Sequence, residues 1–179
     1  MKNTNGRQGP FKTTYWGSDR STEVVFESST LLPQTEQISA CVVVAVRQNT
    51  IVLSRPERGW GLLGGHREEG ETAEACIRRE AMEEAAVELS SLKLIGRWKT
   101  RKLFESSENR QYPTLAYQLL YVACVTKVHD FLPQYEIQER TFVPLDQLAD
   151  LHHNFPGFEE VYEFILANEE VNQYLVGAS

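Results

Sequence analysis

The segment Gly64–Val87, GGHREEGETAEACIRREAMEEAAV, sets acidic side chains at fixed offsets from a glycine pair. Gly65 is followed after five residues by Glu71, and after seven more by Arg79-Glu80, then Glu83-Glu84. Thr72 is a suitable N-cap, so the spacing predicts one helix from Thr72 to Ala86. On a wheel of about 100° per residue with Ile77 at zero, Ala73, Ala81 and Ala85 fall within about 80° of it and define the packing face. Glu84 lands at about −20° and Glu80 at about −60°, inside or beside that apolar arc, with Glu83 on the flank at about −120°. Arg79, at about 200°, points away from the cluster and reads as a salt-bridge or positioning residue reaching back toward Glu71. A solvated surface helix would place its acids opposite the alanines. Carboxylates three and four residues apart repel, more so when partly buried. A hard divalent cation with oxygen ligands resolves that repulsion at least cost.

Working outward, Ile38–Val46 is a continuous β-branched run and reads as a strand buried on both faces, with Thr50–Ser54 returning as its hairpin partner. Glu23–Ser28, Leu92–Phe104, Thr114–Val125 and Ile137–Val143 are further strand candidates. Residues 105–111 form a polar loop, a short helix follows from Pro144 to Leu151, and Phe158–Asn168 carries apolar residues at helical spacing. Strands outnumber helices without strict alternation, which predicts an α+β fold with a mixed sheet flanked by helices. Residues 1–20 read as a loose arm whose aromatics, Phe11, Tyr15 and Trp16, dock on something.

The chain has 179 residues, enough for one domain with a real core. Its net charge of −7 argues against a nucleic-acid polymer as partner, though bound cations can reverse the local sign toward a small phosphorylated ligand. No apolar run is long enough to span a bilayer, and the polar N-terminus lacks a secretory core, which predicts a cytoplasmic protein. Cys41, Cys76 and Cys124 match no zinc spacing and read as buried, reduced thiols. His152-His153 offer no third zinc ligand. Arg55, Arg58 and Trp60 precede the glycine pair and either contact phosphate and stack on a base or form an ordinary loop anchored by one aromatic. His66 either touches a phosphate or stays near the surface. Tyr112, Tyr117 and Tyr121 pack on a core strand or line a substrate pocket.

The spacing resembles the Nudix box, which is a glycine, five residues, glutamate, seven residues, Arg-Glu, an aliphatic, any residue, Glu-Glu, any residue, glycine and an aliphatic. Gly65, Glu71, Arg79, Glu80, Glu83, Glu84 and Val87 match, with Ala81 as the small aliphatic, and Ala86 replaces the family's glycine. The chain is thereby similar to Nudix hydrolases of the MutT-like group, over roughly residues 36–168, leaving residues 1–35 as an extension before a domain at 36–179. The resemblance implies the Nudix fold, a mixed sheet sandwiched between helices, and a Mg2+- or Mn2+-dependent pyrophosphohydrolase acting on a small nucleotide substrate. Water would attack at phosphorus in a nucleoside triphosphate, oxidised ones included, or in a nucleotide sugar such as ADP-ribose. It implies Glu80, Glu83, Glu84 and the Gly64 carbonyl as metal ligands, and Glu136 as a later-loop ligand or base, with Glu139 the second candidate. Gly65 and Glu71 would be structural. Ala86 would cost roughly 1 kcal/mol in a left-handed conformation, so the helix is expected to run on toward Leu89. The aromatic arm, together with the family's frequent pairing, raises a homodimer as an expectation. Two competing classes are a non-catalytic nucleotide-sensing module on the same fold and an acidic calcium-binding domain. The latter fits less well, because these carboxylates lie along a helix rather than in an alternating loop.

Overall fold

The β-branched run forms the middle of the sheet. In a computed structural model, which describes residues 11–133 and 137–177, β3 (Ile38–Arg47) is buried along nearly all its length. On one side it pairs in parallel with β7 (Leu115–Val128), and on the other antiparallel with β5 (Gly61–His66). The remaining strands are β1 (Thr14–Trp16), β2 (Thr22–Glu27), β4 (Thr50–Arg55), β6 (Val87–Lys102) and β8 (Glu139–Val143). They complete an eight-stranded mixed sheet in the order β1-β2-β6-β7-β3-β5-β4-β8. The expected hairpin between β3 and β4 holds for two residue pairs, Val46 with Ile51 and Arg47 with Thr50. Beyond these β5 inserts between them, pairing Leu53 of β4 with Leu62. Residues 56–60 form the expected loop, and the glycine pair itself lies within β5.

Alternation along these strands divides the apolar side chains between two cores. Cys41, Val43, Ala45, Tyr117, Leu119 and Tyr121 face α1 (Ala73–Ala85), which packs Ala73, Cys76, Ile77, Ala81 and Ala85 against them. Val44, Val46, Leu120 and Val122 face the other way. They meet Leu148 of the short α2 (Leu148–Leu151), Val161 and Ile165 of α3 (Phe155–Ala167), and Val171 of α4 (Glu169–Gly177). Helices on both faces of a mixed sheet are the expected α+β sandwich. No described helix is long and apolar enough to cross a membrane.

The described part of the arm, residues 11–20, is more ordered than its composition suggests. Residues 14–16 form β1, the edge strand, paired with β2, whose Phe26 packs with Phe11 at 4.8 Å between ring centroids. Phe11 also meets Phe164 of α3 at 6.0 Å, so its docking partner is the chain itself.

Both ends of α1 have chemical causes. Thr72 Oγ1 accepts from the Ala75 N–H at 3.1 Å. At the other end the helix does not run on to Leu89. Ala86 takes the left-handed conformation (φ 50°, ψ 47°), and Val87, fully buried, starts β6 at once. Its neighbours satisfy the final carbonyls. Arg140 Nη1 donates to the Ala85 carbonyl at 2.6 Å, and the His129 N–H donates to that of Ala86 at 2.9 Å. A residue with a Cβ at this position costs about 1 kcal/mol against glycine. Ala86→Gly is therefore expected to raise the melting temperature by roughly 2–4 °C, measured by calorimetry.

Candidate functional site

The carboxylates of α1 gather against the turn at the end of β5. Glu84 lies on the last turn of the helix, 8% exposed, and its Oε2 accepts from the Gly64 N–H at 2.9 Å and from Ser54 Oγ at 3.2 Å. Burial pushes its carboxyl up to about 7 despite the Gly64 hydrogen bond, with the Glu80 charge adding to the rise. Glu80, four residues and just over one turn earlier on the same flank, is also raised, again chiefly by burial. Gly65 makes room for Glu80, and Gly64 for the close approach of β3. A Cβ on Gly65 would meet Glu80 Oε1 at 2.3 Å. A Cβ on Gly64, at φ +153°, would meet the Cys41 carbonyl oxygen at 2.3 Å.

Arg79 does not point away from this cluster, as its wheel position predicted; it holds the cluster together. Its Nε donates to Glu71 Oε1 at 3.0 Å and its Nη2 to Glu71 Oε2 at 3.1 Å. Nη1 donates to Glu80 at 2.9 Å and to Glu83 at 3.1 Å, and Nη2 also reaches the His66 carbonyl at 3.0 Å. The wheel records where a Cβ starts, and a long arginine stem folds back along the helix surface. Reaching Glu71 was legible; bridging three acids was not. The hydrogen bonds to Arg79 hold the Glu71 carboxyl below the ordinary range.

An all-oxygen donor set of Glu80, Glu83 and Glu84, two of them desolvated and short of compensating charge, suits a hard divalent cation. In the arrangement seen, Arg79 Nη1 takes Glu80 and Glu83 while Gly64 and Ser54 take Glu84. Consistent with that, among the described residues no three acidic, histidine or cysteine groups stand at coordination spacing. The donor chemistry fits, provided that Glu80 and Glu83 turn from the guanidinium. Glu136 lies outside the described residues. Glu139 ion-pairs with Arg55 at the edge of β4 and β8.

Arg55 also lies over the Trp60 ring, 5.7 Å from its centroid, and Trp60 packs on the second core. The Trp60 carbonyl receives the His153 N–H at 2.9 Å. His66 is exposed and its Nε2 hydrogen-bonds the Tyr112 hydroxyl at 2.8 Å. Tyr117 and Tyr121 are core residues facing α1, whereas Tyr112 is in the loop before β7. The cysteines are free thiols, and Cys41 is raised by hydrogen bonding to Cys76 and by burial. Ser54 and Arg140 escaped the reading of the sequence, and for Tyr112 the contact with His66 did. For Ser54 there was a signal, since a hydroxyl in the buried run Ile51–Leu53 needs a partner.

His152 stacks on Phe158 at 4.3 Å and on His153 at 4.8 Å. Burial lowers it to about 4. Because the folded value lies below the unfolded one of about 6.5, the unfolded chain takes up the proton first as pH falls. Stability from this residue is present above pH 6.5 and is lost on acidification toward pH 4. The melting temperature of His152→Phe is expected to fall less than that of the wild type between pH 6.5 and 4.5, followed by circular dichroism.

With the geometry established, comparison with known proteins adds the following. The sequence model described as NUDIX domain matches residues 32–164. A search of curated proteins finds no match. Among solved structures, the chain is similar to the Bacillus subtilis pyrophosphohydrolase BsRppH, with 19% identity, a TM-score of 0.58 and 94% of each chain covered. It is similar to a NUDIX hydrolase from Nitrosomonas europaea, with 18% identity, a TM-score of 0.56, and 73% of this chain and 89% of that one covered. It also resembles the NUDIX domain of Shewanella oneidensis NrtR, complexed with ADP ribose, at 16% identity and a TM-score of 0.53, covering 71% of this chain and 85% of that one. At these identities the structural likeness speaks for the fold.

Proposed function

The chain belongs to the NUDIX family, and we propose that it is a hydrolase of phosphorus-containing acid anhydrides, cleaving the phosphoanhydride of a small nucleotide by water attack at phosphorus, with Mg2+ or Mn2+ as cofactor. The substrate is a nucleoside triphosphate, oxidised ones included, or a nucleotide sugar such as ADP-ribose. The observation that carries this reading is a buried carboxylate, Glu84, bonded to the Gly64 N–H and Ser54 Oγ, with a second carboxylate, Glu80, one turn earlier in space that a Cβ on Gly65 would fill, both raised by burial.

Glu80, Glu83, Glu84 and the Gly64 carbonyl would hold the cation. When bound, it neutralises phosphate oxygens and makes water a stronger nucleophile at neutral pH. The chain's own contribution is geometric and protonic. The Gly64 N–H and Ser54 hydroxyl fix Glu84 Oε2 against β5, so that this carboxylate cannot swing out to solvent. The acids of the cluster would take the proton from water as one coupled set. Arg79 is a positioning residue, holding Glu71, Glu80 and Glu83 in register with the Gly64–His66 turn. Glu136 is proposed as a further ligand or base, and Arg55, Trp60 and His66 as substrate contacts. Of these, His66 has the best support, being exposed beside the acid cluster.

A panel of nucleotides with magnesium, with product identification, tests the activity and separates it from a non-catalytic nucleotide sensor. Glu84→Gln keeps an oxygen for Gly64 and Ser54 but removes the charge. Removing a catalytic carboxylate should lower kcat by about a hundredfold or more. The stability effect has the opposite sign. A carboxyl whose folded value is raised contributes stability below its unfolded value, and that stability is lost as pH rises through about 7. In EDTA at pH 8 the variant is therefore expected to melt higher than the wild type. Unchanged hydrolysis in Glu84→Gln would remove its proposed role. The homodimer rests on the exposed Tyr15 and Trp16, since Phe11 is used within the chain. Light scattering at micromolar concentration should show twice the chain mass, and monomer alone would overturn it.

A further inference from the structure

A cavity of about 210 Å³ lies between the β1–β2 hairpin and the loop that joins β6 to β7. It is lined by Trp16 from the hairpin, Tyr112 and Asn109 from the loop, and Gln118 from β7. From these walls and from the cavity's place beside His66, we propose that it binds the nucleobase of the substrate. The proposal rests on the reading of the acid cluster as a phosphoanhydride site and adds where the other end of the substrate lies.

Three observations support it. The first is wall chemistry. Trp16 and Tyr112 offer aromatic faces, and base-on-aromatic stacking tolerates any base. Two charged side chains, Lys102 and Glu108, reach the cavity with opposite signs, and Glu108 is engaged by the Ser18 N–H at 3.0 Å. Such a lining favours a neutral planar group over a phosphate. Among the described residues the Gln118 amide makes no hydrogen bond to the chain, and an amide presents a donor and an acceptor side by side, matched to a base edge.

The second is preorganisation. Asn109, 5% exposed, ties the loop to the hairpin. Its Nδ2 donates to Ser21 Oγ at 3.0 Å and to the Phe104 carbonyl at 3.0 Å, and its Oδ1 accepts from the Ser106 N–H at 2.9 Å. The cavity walls are thus held by buried bonds before any ligand arrives.

The third is placement. Ala40 of β3 is register partner to both His66 of β5 and Gln118 of β7, so the cavity floor and the end of the glycine turn lie level in the sheet, two strand spacings apart. That separation is about 10 Å. The Tyr112 hydroxyl bonds His66, whose ring stacks on it at 5.6 Å, and the His66 carbonyl bonds Arg79. Gln118 and His66 lie on the sheet face away from α1, so a base seated on Trp16 and Tyr112 would send its phosphates around the His66 end of β5 to reach Glu80 and Glu84 on the other face.

The test uses the full chain in EDTA, titrated with guanosine, adenosine and ribose 5-phosphate while tryptophan fluorescence is followed. Nucleosides should quench the wild type saturably, the quenching should be lost in Trp16→Phe, and ribose 5-phosphate should leave the signal unchanged. Trp16→Ala and Gln118→Leu should raise KM for the nucleotide substrate by about tenfold with kcat nearly unchanged. Equal quenching in Trp16→Phe, quenching by ribose 5-phosphate, or an unchanged KM in both variants would overturn the assignment. Binding of nucleosides to Glu84→Gln separates the two readings. If hydrolysis proves independent of Glu84 while Trp16-dependent quenching persists in that variant, the catalytic assignment fails and the base cavity stands.

Discussion

A single guanidinium organises this site. Arg79 spends its planar fork on Glu71, Glu80, Glu83 and the His66 carbonyl, and so ties the loop before α1, the helix itself and the end of β5 into one unit. Like charges on neighbouring helical turns would otherwise drive those segments apart. A lysine could not replace it, because a compact ammonium cannot meet Glu71 with two parallel bonds while reaching the other acids. The glycine pair is the other half of the same constraint. With any side chain at residue 65, Glu80 would be displaced from the turn that Arg79 holds it against.

The rest of the molecule supports that arrangement and compensates for it. Burying Glu84 is unfavourable, and the same helix offsets the cost by packing Cys76, Ile77, Ala81 and Ala85, all inaccessible to water, on the sheet. The helix end is fixed from outside by Arg140, whose guanidinium also lies over the rings of Phe131 and Phe142. An acid placed where it weakens the fold, on an element anchored at both ends, follows the usual opposition between a working site and maximal stability.

Much of this was legible from local rules. The β-branched run at Ile38–Val46, the Thr72 cap and the inward acids each followed from a period or a capping preference, and the fold class followed from their order. What escaped the reading depends on reach or on distant partners. The position of Arg79 on a wheel could not report where its stem folds. The insertion of β5 between β3 and β4 is a matter of sheet order, which hairpin signals do not encode. Ala86 was expected to avoid a left-handed turn, but the need to begin β6 immediately overrides a local preference of about 1 kcal/mol. Tyr112 sits in a polar loop and meets His66 only once the sheet has formed.

The register of the N-terminal hairpin has a consequence for how the chain is made. Thr22 pairs with Lys102, and Ile38 pairs with Tyr117, so β2 and β3 each have one edge that is filled only when β6 and β7 emerge. Until β7 emerges, Ile38–Arg47 is paired on one side alone, by β5 and a short contact with β4, and its other edge stays open. Sheet closure is consequently a late, long-range step, and the hairpin wall that bears Trp16 is assembled only after it.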